Sequence, residues 1–259
     1  MKNLLFNLLN CFHNLFDKKI PISPHLPYLF DKKIPISPHL PLSRLNYFEK
    51  KTHPKKAKYK EILLSLNTDN LWVEVNLNCF VNLFEEYQEK KLNILELGSY
   101  QGASAYLFLS LLKNSKITCV DSFTDPINLK LFEENLKEFL IKERLVIIKS
   151  STLSFFSREM KKNFYDIVYI DAGHGYSDLT IDIHCSFDQV VEGGIIIFDD
   201  YEWQNRNLMP MDKNVRLAIN DFLERANGCY EVLHHGYIVI LKKTKDFNGF
   251  QSGANYYKF

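Results

Sequence analysis

Acidic residues and a histidine that could do chemistry follow apolar runs in the second half of the chain. Asp171 comes directly after the run DIVYI, and His174 lies three residues later in a glycine-containing turn. Asp199 and Asp200 come directly after another run, GIIIF. Carboxylates bind divalent cations, and an imidazole with an ordinary pKa near neutrality can accept a proton from a hydroxyl group. These residues therefore indicate a site for metal binding or proton transfer.

The carboxylates of Asp171, Asp199 and Asp200 are expected to lie close together. Neighbouring strands of a parallel sheet end at the same edge, which is where ligands bind in such sheets. Three clustered carboxylates would raise one another's pKa unless a cation lay among them, and oxygen ligands suit Mg²⁺ or another divalent cation. We therefore predict a metal site formed by these three residues. The alternative is that Asp200 caps the next helix while Asp199 accepts hydrogen bonds from loop amides.

The stretch ILELGSYQGASA, residues 94–105, carries a second set of binding signals. Its spacing is G-x-x-x-G, which lacks both the G-x-G-x-x-G pattern of dinucleotide-binding loops and the lysine of a P-loop. Gly98 and Gly102 let the backbone approach a ligand closely, and Glu96 would repel phosphates but suits an ammonium group. Asp121, which ends another apolar run, either accepts hydrogen bonds from ribose hydroxyls or caps its loop. Together these residues favour an adenosine that carries an amino-acid tail.

These side chains must be positioned by elements that alternate along the chain. Short β-branched runs are separated by helical patterns, which predicts a parallel sheet covered by helices on both faces. The segments CYEVLHH and YIVILKK, joined through Gly236, predict an antiparallel hairpin. The expected fold class is therefore α/β, with a doubly wound, mostly parallel sheet of seven strands. The predicted parallel strands are 93–97, 116–120, 145–149, 166–170 and 194–198, and the helices among and after them are 103–113, 127–141, 153–160, 176–190 and 213–227.

The motifs ELGSYQGASA, CVDSF, YDIVYIDAGHGY and GGIIIFDDY resemble those of the class I S-adenosylmethionine-dependent methyltransferases, particularly the catechol- and macrocin-type small-molecule O-methyltransferases. The resemblance covers roughly residues 70–243 and implies a Rossmann-like sheet that ends in an antiparallel hairpin. It also implies S-adenosylmethionine as the cofactor. The implied cofactor contacts are Glu96, Gly98, Ser99, Tyr100, Gly102, Ser104, Asp121, Ser122, Ser151 and Asp171. Ser151 is equally well placed to cap a helix.

The resemblance also implies roles in catalysis. Catechol-type enzymes place a lysine that acts as general base where this chain has His174, so His174 is expected to take the proton of the acceptor hydroxyl. Asp171 is expected to act beside it as a catalytic residue and a metal ligand. The predicted function is Mg²⁺-assisted methyl transfer from S-adenosylmethionine to a hydroxyl of a small molecule: a sugar, a glycosylated metabolite or a phenol. A purely structural role for His174 stays open.

Three other functions are compatible with parts of this pattern. A catalytically inactive methyltransferase-like binding module would bind the cofactor without turnover. A nicotinamide-dependent oxidoreductase is disfavoured by the glycine spacing and by the terminal hairpin. A metal hydrolase with the same carboxylates would act without S-adenosylmethionine and would not need Glu96.

The segment after the paired aspartates is expected to face the substrate. Residues 201–214 are polar, aromatic and methionine-containing. Tyr201 and Trp203 can stack on a sugar or aromatic ring, or can instead be packing residues. Arg206 can meet an acidic substituent or remain solvated, and Asp182 is expected to anchor its helix or the His174 loop.

The overall composition limits the partners and location of the chain. There are 32 basic and 31 acidic residues, which gives a net charge of +1, so no attraction to nucleic acid is expected. Five scattered cysteines without CxxC pairs argue against a disulfide framework or a zinc site and favour a reducing, cytoplasmic location. The interrupted apolar pattern of residues 1–16 predicts a surface helix and no transmembrane segment.

The N-terminal segment contains a duplication. Residues 15–27 read LFDKKIPISPHLP, and residues 29–41 repeat them without change at a 14-residue offset. The frequent prolines predict an extended arm, and a docking role or self-association through this arm stays open. The predicted organisation is an N-terminal extension over residues 1–50, a methyltransferase domain over 51–245 with a helical lead-in over 51–90 (helices 58–66 and 72–89), and a C-terminal tail over 246–259.

Overall fold

Seven strands form the sheet at the centre of the protein. The computed structural model describes residues 36–203 and 215–247, and within them the strand order is 3-2-1-4-5-7-6. The strands are β1 (Asn93–Leu97), β2 (Lys116–Asp121), β3 (Leu145–Lys149), β4 (Tyr165–Ile170), β5 (Val190–Phe198), β6 (Tyr230–His235) and β7 (Val239–Lys243).

The first five strands run parallel, and β7 and β6 complete the sheet as an antiparallel pair. The central strand β1 pairs with β2 and β4, and these pair in turn with β3 and β5. Strand β7 is antiparallel to both β5 and β6. The predicted fold class, a doubly wound and mostly parallel α/β sheet that ends in an antiparallel hairpin, is therefore confirmed. Leu97 pairs with Ile170, and Ile170 with Phe198, so the carboxyl ends of β1, β4 and β5 are adjacent.

Eight α-helices lie around this sheet in the described residues. Local signals begin two of them. Asp125 accepts a hydrogen bond from the Ile127 amide at 2.8 Å, and Ser151 accepts one from the Ser154 amide at 3.3 Å. The helices are α1 (Lys56–Leu64), α2 (Leu77–Leu83), α3 (Ala103–Leu111), α4 (Pro126–Asn135), α5 (Lys137–Ile141), α6 (Thr152–Glu159), α7 (Tyr176–Gln189) and α8 (Val215–Arg225).

The helix predicted over residues 72–89 is divided into three short elements. A 3₁₀ helix (Trp72–Asn76) precedes α2, and a second 3₁₀ helix (Glu85–Tyr87) follows it. Polar side chains of this segment bond to distant parts of the chain; the Asn78 amide group, for example, donates to the Phe48 carbonyl at 3.2 Å. Such tertiary contacts outweigh the helical propensity of the segment.

The helix predicted over residues 127–141 is also divided, into α4 and α5. The division falls at Leu136, whose side chain is fully buried. A Cβ atom built at Gly102 would lie 2.6 Å from the Leu136 Cδ1 atom, so Leu136 fills the space beside the glycine loop.

Alternate strand residues face two separate hydrophobic clusters. In β4, Ile167 and Tyr169 belong to one cluster, while Val168 and Ile170 belong to the other. All four are at most 2% exposed. Burial on both faces is typical of a parallel sheet that helices cover on both sides, and it explains the uninterrupted apolar runs in the sequence.

Residues 36–49 lie along β6 at the edge of the sheet. Leu45 forms a parallel bridge with His235. Two 3₁₀ turns, Leu42–Arg44 and Tyr47–Glu49, belong to this segment. The segment therefore covers part of an edge strand that would otherwise be open to pairing with another chain.

Several predicted features lie outside the described residues. These are the first copy of the repeat, the surface helix over residues 1–16, Arg206, and most of the C-terminal tail. The predicted domain boundaries at residues 50 and 245 stay predictions. In the part of the chain that the structure describes, each helix is too short or too polar to cross a lipid bilayer.

Candidate functional site

The loop between β1 and α3 packs directly against the end of β4. Gly98 has a φ of 82°, and a Cβ atom built there would lie 1.9 Å from the carbonyl oxygen of Asp171. The Gly98 amide donates to the Val120 carbonyl at 2.9 Å. At the other end of the loop, Gly102 precedes α3 with a φ of 87°. Glycine is required at residue 98 because any side chain would collide with the β4 backbone.

The carboxylate of Asp121 holds this loop from β2. One oxygen accepts hydrogen bonds from the Ser99 and Tyr100 amides at 3.0 and 2.9 Å, and the other accepts one from the Phe123 amide at 2.7 Å. The Phe123 bond is the capping of the following loop that the sequence left open, and the Ser99 and Tyr100 bonds also hold the glycine loop. An ionised carboxylate has about four acceptor positions, so capacity for a further donor remains.

Glu96 lies beneath the loop in the core of the protein. Its side chain is fully buried and accepts hydrogen bonds from the Ser104 hydroxyl and, at 3.2 Å, from the Cys119 thiol. Burial raises the pKa of Glu96 above its ordinary value, and these hydrogen bonds oppose the rise. Its acceptor positions are therefore directed toward protein donors.

A cavity lies between the glycine loop, the end of β4 and the 3₁₀ helix at Trp72–Asn76. It brings together five of the predicted cofactor residues, namely Gly98, Ser99, Tyr100, Ser104 and Asp171. Further residues that line it and that the sequence did not single out are Asn70, Trp72, Val73, Gln101, Ala103 and Tyr169.

The other predicted cofactor residues do not line this cavity. Asp121 accepts hydrogen bonds from amides of the glycine loop, Glu96 accepts one from Ser104 at the start of α3, and Gly102 lies against Leu136. Ser122 is exposed beyond the end of β2. Ser151 is exposed and caps α6, as the alternative interpretation of the sequence predicted.

Gln101 ties the loop to two other parts of the chain. Its side-chain amide donates to Asp69 Oδ2 and Asn128 Oδ1, both at 2.9 Å. Its Oε1 atom accepts hydrogen bonds from the Thr68 hydroxyl at 2.8 Å and the Asp69 amide at 2.9 Å. The fully used amide fixes the segment that leads into Trp72 against the loop. The only signal for this role in the sequence was its place between the two glycines.

Asp171, His174 and Asp200 meet at the carboxyl ends of β4 and β5. One ligand atom from each lies within 4.8 Å of the others. His174 Nε2 is 2.7 Å from Asp200 Oδ2 and 3.8 Å from Asp171 Oδ1. All three side chains are partly accessible, with exposures of 31% for Asp171, 40% for His174 and 17% for Asp200. The arrangement can bind a cation or can hold an imidazole in position to accept a proton.

Asp199 is held in a different environment from its neighbour Asp200. One of its oxygens accepts a hydrogen bond from the Tyr169 hydroxyl. The other accepts bonds from the Asn76 side-chain amide at 3.3 Å and from the Asp200 amide at 2.7 Å. The structure therefore groups Asp171 and Asp200 with His174, and it places Asp199 in the amide-bonded arrangement that the sequence had left as an alternative.

The electrostatics of these carboxylates reflect their crowding. Desolvation, followed by the charges of Asp199 and Asp200, raises the pKa of Asp171 well above its ordinary value. Desolvation also raises the pKa of Asp199 to about 6, and the Tyr169 hydrogen bond opposes this rise. Burial and the adjacent carboxylates raise the pKa of the Tyr169 hydroxyl, so it stays a hydrogen-bond donor. A divalent cation would relieve the repulsion among the acidic groups.

Asp200 adopts an uncommon backbone conformation. Its φ is 59°, in the left-handed region that non-glycine residues rarely occupy. The Tyr237 hydroxyl donates to Asp200 Oδ1 at 2.8 Å, which fixes the carboxylate whose other oxygen meets His174. The His174 ring packs against Trp203, with ring centroids 5.2 Å apart. Backbone strain of this kind is typical of functional sites.

Tyr201 and Asp182 are both buried. Tyr201 is 1% exposed, and its hydroxyl donates to Asn220 Oδ1 at 2.8 Å, so the proposed stacking of Tyr201 on a substrate ring is wrong and its packing interpretation is correct. Asp182 is 1% exposed within α7. Trp203, by contrast, is 37% exposed beside His174 and stays available to a substrate.

Comparison with known proteins agrees with the fold. A family model described as a methyltransferase domain matches residues 95–201, from β1 to just beyond β5. A curated relative, "Uncharacterized protein R132" of Acanthamoeba polyphaga mimivirus, is 27% identical over 174 residues, which cover 62% of this chain and 74% of the relative.

Solved structures share the fold at low sequence identity. The SAH-bound methyltransferase PaMTH1 of Podospora anserina is 16% identical with a TM-score of 0.55, over 77% of this chain and 93% of that one. The MycE methyltransferase of the mycinamycin biosynthetic pathway, solved in complex with Mg and SAH, is 14% identical with a TM-score of 0.55, over 77% of this chain and 57% of that one. The resemblance predicted from the sequence is confirmed: residues 95–201 match a methyltransferase domain, and the chain has the fold of the class I S-adenosylmethionine-dependent methyltransferases.

Proposed function

We propose that the protein transfers a methyl group from S-adenosylmethionine to a hydroxyl group of a small molecule. The observation that carries this proposal is the position of Asp171. Its side chain lines the cavity beside the glycine loop and also belongs to the group formed with His174 and Asp200. A cofactor cavity and a proton-accepting group thus share one residue, as methyl transfer to a hydroxyl requires.

The residues around the glycine loop fit the proposed cofactor. Bound S-adenosylmethionine would supply a methyl group on a positively charged sulfur. The cavity residues Gly98 to Gln101 and Ser104 would hold its methionine part, with Gly102 shaping the end of the loop, and the remaining acceptor capacity of Asp121 would serve the ribose hydroxyls. Glu96 would act from beneath by fixing Ser104, and Ser122 and Ser151 would lie toward the adenosine end, as the sequence resemblance implies. SAH in the similar PaMTH1 and MycE structures supports this assignment.

The group formed by Asp171, His174 and Asp200 fits a divalent cation. Two carboxylates and an imidazole offer oxygen and nitrogen donors, which suit Mg²⁺ or Mn²⁺ in a site that keeps water or substrate oxygens. A bound cation would lower the pKa of the acceptor hydroxyl. In place of the three predicted aspartates, we assign Asp171 and Asp200 as ligands and Asp199 as the residue that positions Asp200. The Mg in the MycE complex supports a cation at such a site.

His174 is assigned as the general base. Asp200 lies 2.7 Å from its Nε2 atom and orients the ring, in the way that a carboxylate commonly orients a catalytic histidine. One observation favours a second role, which is direct cation binding by His174, because its ring nitrogen lies among the grouped ligand atoms. The two roles differ in their effect on cation affinity and are separated by a variant discussed below.

The acceptor is assigned to hydroxylated small molecules with an apolar or sugar-like face. Trp203 beside His174, and Trp72 beside Tyr100, present partly exposed aromatic rings at the two ends of the site. Such rings stack on planar or sugar substrates. MycE, a methyltransferase of the mycinamycin biosynthetic pathway that was also solved with mycinamycin VI, supports a small-molecule acceptor over a macromolecule.

The test is methyl transfer from labelled S-adenosylmethionine to a panel of hydroxylated sugars and phenols, with and without a metal chelator. We expect turnover with at least one acceptor class and loss of turnover with chelator that added Mg²⁺ or Mn²⁺ restores. Chelator-insensitive turnover would remove the cation from the proposal. Calorimetry with S-adenosylmethionine and with NAD is the control: cofactor binding without any turnover would favour the inactive binding module, and binding of NAD alone would favour an oxidoreductase.

A further inference from the structure

The described part of the second repeat copy is bound to a defined place on the domain. The Ser37 amide donates to the Tyr201 hydroxyl at 3.0 Å, and that hydroxyl donates in turn to Asn220 Oδ1 at 2.8 Å. Ser37 is 4% exposed, so this bond lies away from solvent. The Ser37 carbonyl accepts a bond from the Leu40 amide at 3.1 Å, which folds the segment into a turn.

The end of the same segment is bound by an apolar contact and a second hydrogen bond. Leu40 is 5% exposed and belongs to the same hydrophobic cluster as Tyr201 and Val232. His235 Nε2 donates to the Pro41 carbonyl oxygen at 2.9 Å. We call the surface formed by Tyr201, His235 and the cluster that receives Leu40 the repeat-binding site.

The chain contains a second segment with the same chemistry. Residues 22–27 and residues 36–41 both read ISPHLP, within 13 identical residues. Ser23 and Leu26 therefore correspond to Ser37 and Leu40. Because the groups that bind are identical, the direct contacts available to the two segments are identical as well.

We propose that the repeat-binding site recognises the peptide Ile-Ser-Pro-His-Leu-Pro as such, and that residues 22–27 of the same chain are its alternative occupant. When residues 22–27 bind, residues 28–41 become a loop of 14 residues between the bound segment and Leu42. Closing a flexible loop of this length lowers the population by about 50-fold, from the three-halves power of its length. The second copy therefore occupies the site by default, and the first copy replaces it when the second is damaged or displaced.

The repeat-binding site adjoins Asp200 of the candidate functional site. Tyr201 directly follows Asp200, and the Tyr201 carbonyl also accepts a bond from Arg216 Nε at 3.1 Å. Either copy of the repeat would supply the amide that bonds to the Tyr201 hydroxyl. The duplication would thus keep the backbone after β5 supported in both arrangements.

The test compares Leu40→Asp, Leu26→Asp and the double variant in the full-length chain by urea unfolding. Leu26→Asp should leave the folding equilibrium constant unchanged, because Leu40 fills the site in the main arrangement. Leu40→Asp should lower it by no more than about 50-fold, since the first copy takes over. The double variant should lose at least fivefold more than Leu40→Asp. Equal losses in Leu40→Asp and in the double variant would overturn the proposal, and the milder pair Leu26→Ala and Leu40→Ala serves if the double variant fails to fold.

Two further measurements identify the occupant. The peptide IPISPHLP, added to the double variant, should raise its unfolding midpoint, whereas IPISPHDP should not; no shift with the first peptide would overturn recognition of the motif. The stability of Leu40→Asp should not change over a hundredfold range of protein concentration. If it rises with concentration, a second chain supplies the segment, and the assignment to the same chain is wrong.

Discussion

Asp199 and Asp200 are adjacent in the chain, yet their carboxylates perform different tasks in the structure. Asp199 is bound by Tyr169, Asn76 and a backbone amide, whereas Asp200 is oriented by Tyr237 toward His174. Asp200 has a left-handed backbone conformation, with a φ of 59°, which its neighbour Asp199 does not share. At the scale of single residues, we therefore expect Asp199 to hold Asp200 in position and Asp200 to bind the cation.

The division predicts different results for two matched variants. Asp200→Asn should weaken Mn²⁺ affinity by at least about tenfold and reduce turnover, because it removes a charged ligand and the partner of His174. Asp199→Asn should change Mn²⁺ affinity by less than about threefold, since its bonds are to protein groups. Calorimetric titration of both variants with Mn²⁺ is the measurement, and equal losses of affinity would contradict the assignment.

His174→Gln separates the two roles of the histidine. If His174 is the base, turnover at saturating cation should fall by about 10²- to 10⁴-fold with little change in Mn²⁺ affinity. The measurement is turnover as a function of Mn²⁺ concentration. Recovery of full turnover at high Mn²⁺ would show instead that the residue acts as a ligand.

Asp182 should make stability depend on pH. Burial raises its pKa from 3.8 to about 7; the Thr152 hydroxyl opposes the rise, and the negative charge of Asp178 adds to it. The native state then binds the proton more tightly than the unfolded state, so stability falls as pH increases from about 4 to about 7. Asp182→Asn removes this cost and should be more stable than the parent at pH 8, by at most about 4 kcal/mol.

The measurement for Asp182→Asn is urea unfolding at several pH values between 4 and 8. The advantage of the variant should shrink as the pH is lowered. An unchanged difference in the free energy of unfolding across this range would contradict the prediction.

The sequence predicted the residues of the site that stand directly after apolar runs. Asp171, Asp199 and Asp200 were singled out in this way, with His174 three residues after the first, because the ends of parallel strands meet at one edge. Asn76 was not, since it lies 123 residues from its partner Asp199 and no local pattern connects them. Tyr169 looked like an ordinary strand residue, and only the structure shows its hydroxyl between two carboxylates.

At the scale of elements, the strands were predicted more accurately than the helices. The runs NILEL and LVIIK match β1 and β3 in full, and the other parallel strands lie within a few residues of their predicted bounds. Burial on both faces makes such strands readable as continuous apolar runs. The division of residues 72–89 was missed because it depends on bonds from Asn76 and Asn78 to distant backbone and side chains.

The close approach of the glycine loop to the Asp171 backbone can be tested by substituting Gly98. Gly98 and Gly228 share a φ of 82°, but a Cβ atom at Gly98 would collide with the Asp171 backbone, whereas one at Gly228 would meet nothing within 4 Å. Gly228→Ala should cost only the conformational strain, about 1 to 2 kcal/mol. Gly98→Ala should cost clearly more and should abolish S-adenosylmethionine binding. Unfolding and calorimetry measure both effects, and equal stability losses would contradict the close approach.

At the scale of the whole molecule, Lys243 connects several elements near the amino ends of β4 and β5, whereas the candidate site lies at their carboxyl ends. It is fully buried, and its ammonium group donates to the Phe187 and Val190 carbonyls at 2.9 and 2.7 Å and to Asn163 Oδ1 at 3.0 Å. Asp246, at 2.8 Å, balances its charge. One side chain thus joins β7 to the end of α7, the start of β5 and the turn before β4.

Lys243→Ala should therefore lower the free energy of unfolding by about 3 kcal/mol or more, since buried carbonyl groups would lose their donor. Lys245→Ala is the matched control, because Lys245 is exposed, and it should stay within about 0.5 kcal/mol of the parent. Urea unfolding of both variants is the measurement. Similar losses of unfolding free energy in the two variants would contradict the stabilising role assigned to Lys243.

The position of β7 between β5 and β6 has a consequence for the order of assembly. During synthesis β6 leaves the ribosome before β7. Because β6 pairs with no strand of the described sheet other than β7, it cannot join the sheet until β7 inserts between β5 and β6. The same insertion carries Tyr237 to Asp200. Nascent chains that end before residue 239 would therefore lack the Tyr237 bond to Asp200 and would expose the unpaired edge of β5. An exposed strand edge of this kind favours aggregation, so we expect such chains to bind chaperones.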